Sequence, residues 1–210
     1  MTADAEQTDS EQPDRESTSA EHIDVEVERE ADAPAVEELD PETRARRDAA
    51  MRQVRRFGDP VLRATAVAVE RFDAALEEEA ERMGELMHDA LGVGLAATQL
   101  GVLHRVLVYR AYAEDPLTVL VNPELRWRSD ELESAEEGCL SLPGVHVEVE
   151  RPTSIRVSAQ DVKGDRFEVE AEGLEARVIQ HEMDHLDGIL VLDRIPRAAR
   201  KEAMRAMREA

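Results

Sequence analysis

Residues 180–188, QHEMDHLDG, set His181 and His185 four positions apart with Glu182 directly after the first histidine. On a helix, positions i and i+4 share a face. Two imidazoles there can hold one metal ion while a neighbouring glutamate lies beside an open coordination position. The chemistry on offer is hydrolysis by an activated water. The same spacing also suits two hydrogen-bonded histidines on an ordinary helix, so a third donor decides the matter. The extended protease pattern would place that donor three residues after the glycine. Gly188 matches the glycine, but the next position required is Val191, which cannot bind metal. Glu202 and Glu209 fall on a charged terminal helix and make poor alternatives. Upstream, residues 136–144 (EEGCLSLPG) carry the chain's one cysteine, Cys139. A thiolate is an excellent ligand for a borderline-soft divalent metal. A third stretch, residues 92–101 (GVGLAATQLG), pairs two glycines that permit close backbone approach with Gln99, whose amide can donate to an oxygen gaining negative charge. It lacks the Gly-Lys-Ser/Thr pattern of a phosphate loop.

These groups need elements to position them. Apolar residues at Phe72, Leu76, Ala80, Met83, Leu86, Met87 and Leu91 predict an amphipathic helix, ended by Gly92 and Gly94. Residues 105–112, 117–127 and 144–152 are β-branched and bounded by Pro, Gly or Asp, so they read as strands. Residues 154–173 alternate on both sides of Lys163-Gly164-Asp165, a hairpin pattern. A second helix should run from about Leu174 to Leu186 and stop at Gly188, and an Ala-rich third helix follows Pro196. The expected fold is α+β: a mostly antiparallel sheet packed around a central metal-binding helix, with an N-terminal helix and a C-terminal helix.

The 210 residues carry 48 Asp plus Glu against 26 Lys plus Arg, a formal charge of −22. Such a surface repels phosphates, which argues against DNA as a partner. Residues 1–42 hold 16 of the acids and 2 of the bases, with no Phe, Trp, Tyr, Cys or Gly. Residues 1–50 therefore read as an acidic, disordered extension before a catalytic domain over 51–210. No run of about 18 apolar residues predicts a membrane span, and the N-terminus lacks the pattern of a secretory signal. A single cysteine fits a reducing cytoplasm. Residues 194–210 reverse the overall charge, with six bases to two acids, and Arg197, Lys201, Arg205 and Arg208 form one stripe.

In this order and at these separations, GVGLAATQ, EGCLS and QHEMDHLDG resemble the three motifs of the peptide deformylases, over roughly residues 52–208. The resemblance implies removal of the formyl group from the N-terminal formylmethionine of newly synthesised proteins. It implies a metal held by Cys139, His181 and His185 with water as fourth ligand, ferrous iron being usual and zinc or nickel substitutes. Glu182 would then move the proton, and the Leu140 backbone N–H and the Gln99 amide would stabilise the anionic oxygen. Gly94 would let the substrate backbone pair along the loop, and Val93, Val178 and His181 would line a pocket for the methionine side chain. Some members carry an arginine near the position of His146, a departure that touches substrate anchoring and leaves the metal chemistry alone. Some also use the C-terminal helix to contact the ribosome. A zinc endopeptidase and an inactive binding protein are the competing readings. Val191 and the otherwise idle cysteine disfavour the first, and the complete ligand set disfavours the second.

Overall fold

Asp40 caps the first described helix. Its carboxylate accepts from the backbone N–H groups of Glu42 and Thr43, both at 3.0 Å, and Pro41 fills a position that needs no donor. The resulting helix α1 spans Pro41–Met51, and its last two residues, Ala50 and Met51, are buried. The sequence reading had assigned residues 41–50 to a disordered extension. The cap and the two apolar residues at the end of α1 hold them as helix instead. The computed structural model describes residues 39–209, so the acidic stretch expected to be disordered lies, up to residue 38, outside the described residues.

Helix α2 (Ala74–Asp89) buries Leu76, Ala80, Met83, Leu86 and Met87, the stripe expected from spacing. Its end differs from expectation. Leu91, not a glycine, takes the left-handed conformation (φ 59°). The Leu91 N–H donates to the His88 carbonyl (3.0 Å) and the Gly92 N–H to that of Met87 (2.9 Å), which closes the last turn. A leucine there costs about 1–2 kcal/mol. Gly92 and Gly94 have other reasons to be small. A Cβ on Gly92 would lie 2.9 Å from Leu140 Cδ1, and one on Gly94 would lie 2.5 Å from Glu182 Oε1.

Strands β1 (Gly94–Ala96), β2 (Val106–Tyr109), β3 (Thr118–Arg128), β6 (Ser154–Gln160) and β7 (Arg166–Glu172) form one antiparallel sheet in the order β1-β2-β3-β6-β7. Strands β4 (Leu132–Gly138) and β5 (His146–Pro152) make a separate antiparallel pair, with Gly138 opposite His146 where the chain turns. Every residue of β2 is buried because both sheet faces are covered. Val106 and Val108 pack with Met83, Leu86 and Met87 of α2. Leu107 and Tyr109 face the other way, toward Ile179, Met183 and Leu186 of helix α3 (Gly173–Leu186). Full burial of such aliphatic side chains contributes roughly 1.5–3 kcal/mol each. Helix α4 (Arg197–Glu209) adds Ala203 to a third cluster with Val149, Val191, Leu192 and Ile195. The α+β class, the mostly antiparallel sheet and the central helix are those the sequence implied. Strands β1 and β4 and helix α1 are additions. Among the described residues no helix is long and apolar enough to cross a membrane.

Candidate active site

Helix α3 lies against the sheet through Ala176, Ile179, Met183 and Leu186, which turns His181, Glu182 and His185 inward as well. The helix stops where Gly188, at φ 71°, donates to the His185 carbonyl and Ile189 donates to that of Asp184. The turn between β4 and β5 brings Cys139 alongside. One donor atom each from Cys139, His181 and His185 lies within 4.8 Å of the others, a spacing that one metal ion spans. Cys139 Sγ is 3.3 Å from His185 Nε2.

Glu137, two residues before Cys139, is buried. Its Oε2 accepts from His181 Nδ1 at 2.9 Å, leaving Nε2 for the metal side. Its Oε1 accepts from Arg151 Nε (2.6 Å) and Arg177 Nη1 (2.9 Å). Arg151 also donates to Asp184 (2.9 Å), and Arg194 donates to the same carboxylate. Burial works against the Glu137 charge, but the His181 and Arg151 hydrogen bonds outweigh it and hold the carboxyl at about 2. Sequence reasoning missed Arg151, Arg177 and Asp184. The signal for Arg151 was there: it alternates with Val147 and Val149 on the inward face of β5.

Charge around the donors is unevenly met. Burial disfavours a charged His181, yet Cys139 and Glu137 outweigh it and raise its pKa well above the usual range. Burial and the His181 charge push His185 the other way, well below it. An imidazole whose pKa is raised by a cysteine and a buried carboxylate marks a place where positive charge is favoured. A divalent cation meets that need with donors of suitable type, so the residues fit a metal. Burial raises the Glu182 carboxyl to about 7, with His181 opposing and Glu137 adding to the shift. Among the described residues, buried Glu182 Oε2 has no hydrogen-bond partner.

Gln99 is fixed from behind. Its Oε1 accepts from the Ala96 N–H (2.9 Å), so Nε2 points to Ser141 Oγ (3.2 Å) and lies 3.8 Å from Cys139 Sγ. A cleft of about 330 Å³ opens over these groups, lined by Val93, Gly94, Gln99, Cys139, Leu140, Val178, His181 and Glu182 among others. All of the expected site residues except His185 face it, and His185 sits behind as the deepest donor, 1 % exposed. Gly94 belongs to β1, an edge of the sheet. His146 ion-pairs loosely with Glu136 (3.4 Å) at the rim. Away from the cleft, His104 Nδ1 lies 2.7 Å from Glu79 Oε2.

An α+β sheet protein with a Cys/His/His donor cluster and a buried glutamate beside it defines a metallohydrolase. The polypeptide deformylase family model matches residues 51–201, and the chain belongs to that family. Peptide deformylase of Thermotoga neapolitana is 50 % identical over 150 residues, covering 71 % of this chain and 90 % of that one. The crystal structure of peptide deformylase from Thermus thermophilus superposes with a TM-score of 0.70 at 44 % identity, covering 75 % of this chain and 93 % of that one. The enzyme from Synechococcus elongatus, solved in complex with actinonin, gives 0.70 at 41 % identity, covering 73 % and 85 %. The reaction of the family, and of this chain, is metal-dependent hydrolysis of the formyl amide on nascent peptides.

Proposed function

We propose that Cys139, His181 and His185 hold the metal and that Glu182 is the proton carrier of the deformylation. The observation that carries this reading is the convergence of three donors within 4.8 Å beside a buried carboxylate with a free oxygen. When bound, the metal supplies a Lewis acid that lowers the pKa of water at its open position and polarises the formyl oxygen. Glu182, poised at about 7, accepts the proton of the attacking water and returns it to the departing amine. The Gln99 amide, locked by Ala96, and the Leu140 N–H donate to the formyl oxygen as it becomes anionic. Gly94, on the edge strand, pairs with the substrate backbone, and Val93 and Val178 take the methionine side chain.

The metal we assign is ferrous iron, with zinc or nickel as substitutes, since mixed thiolate and imidazole donors suit all three. The cell compartment is the cytoplasm, where a lone free cysteine stays reduced. The exposed Arg197, Lys201 and Arg205 of α4 form a ribosome contact; charge reversal at Lys201 and Arg205 should weaken co-sedimentation with ribosomes, and unchanged sedimentation would refute it.

The test is anaerobic formate release from formyl-Met-Ala-Ser by the wild type and Glu182→Ala, with metal content assayed in both. Loss of about 10²- to 10⁴-fold in a fully metal-loaded Glu182→Ala is expected. Retained activity would remove Glu182 from the mechanism. Iron-loaded enzyme should lose activity in air faster than zinc- or nickel-loaded enzyme.

A further inference from the structure

Arg47 stands on α1, before the first residue that the family model matches. It is half-buried and lines the same cleft as Gln99, Cys139 and His181. Its neighbour Arg46 lies 3.8 Å from Asp89 at the end of α2, which leads into the Ala90–Gly94 wall. Met51, one turn on from Arg47, also lines the cleft and anchors α1 in the core with Met83 and Met87. Arg47 thus borders the cleft from α1, while Gly94, against which Glu182 packs, borders it from β1.

Arg47 also differs in charge state from the cleft around it. Glu136, Glu137 and Glu182 all line the cleft, and its other arginine, Arg177, is tied to Glu137 and to the Val149 carbonyl. Among the described residues the Arg47 side chain has no hydrogen bond and no ion pair. A planar guanidinium left free in a peptide cleft is built to take a carboxylate through two parallel hydrogen bonds.

We infer that Arg47 is a specificity-determining residue that reads a carboxylate carried by the substrate beyond its formylmethionine. The inference rests on the deformylase reading, because formylmethionine must occupy the end of the cleft beside Glu182. The carboxylate comes from an acidic side chain at the second or third residue, or from the C-terminus of a very short peptide. The Arg47 guanidinium is only half-buried, so the preference it confers weakens as salt rises.

The test compares kcat/KM for formyl-Met-Glu-Ala-amide and formyl-Met-Ala-Glu-amide with their Gln counterparts, using the full chain at low salt. At one of the two positions Glu should be favoured over Gln by about three- to tenfold, carried in KM. Arg47→Ala should bring that ratio close to one, Arg47→Glu should invert it, and Arg47→Lys should keep part of it. A gain from a free C-terminal carboxylate over the amide, lost in Arg47→Ala, would support the proposal with the terminus as source. No preference in the wild type, or an equal preference in Arg47→Ala, would overturn it. Failure to deformylate even the Gln peptides would strike at the reaction rather than at Arg47.

Discussion

At the scale of single residues, the site depends on one buried carboxylate that holds a proposed ligand in place. Glu137 orients His181 and is itself gripped by two buried arginines. Glu137→Gln keeps the shape but removes the charge that fixes the His181 tautomer. Metal affinity should fall by about 10- to 100-fold, read by competition with a chelator, while secondary structure by circular dichroism stays near wild type. Unchanged affinity would make Glu137 a packing residue only. Sequence spacing disclosed His181, Glu182 and His185 because they share one helix turn, and Cys139 because no other cysteine exists. It could not disclose that Arg151 and Arg177 meet on Glu137. Those partners are 14 and 40 positions away, and nothing local records which carboxylate will neutralise them.

At the scale of elements, two helix ends shape the cleft. Helix α3 finishes in a glycine whose positive φ a side chain would strain, as its sequence suggested. Helix α2 finishes in a strained leucine, which its sequence hid behind two later glycines. Those glycines act through size. Gly94→Ala should push the Glu182 carboxylate out of place and lower kcat on the order of 10²-fold, with metal content and Tm little changed. A normal kcat would show that Glu182 can give way. Strand β4 escaped the sequence reading because LESAEEG carries almost no apolar alternation; it is shaped by pairing with β5, not by a buried face. Helix α1 escaped because nearly all of its residues are small, polar or charged, and only Ala50 and Met51 commit it to the core.

At the scale of the molecule, the ends of the fold are joined by ion pairs. Asp193 accepts from Arg63 and from the Leu190 N–H and lies 3.1 Å from Arg200 on α4. Partial burial opposes its charge, but Arg63 and its other partners outweigh that and hold it below the usual 3.8. With the folded value depressed, the carboxylate stabilises the fold above the unfolded pKa. That contribution disappears as pH falls through the folded value. Asp193→Asn should therefore lower Tm at pH 7 and converge with the wild type in acid below 3.8; an equal gap at both pH values would contradict this.

The donors of the proposed metal site come from residues 139, 181 and 185, and the carboxylate behind His181 is linked through Arg151 and Asp184 to Arg194. While this chain is itself being synthesised, nearly all of it must leave the exit tunnel before that cluster can close. Long-range contacts of this kind form late, after loop-closure entropy has been overcome. If these donors hold the ion as proposed, a nascent chain gains its metal site only once both the β4–β5 turn and helix α3 are in place.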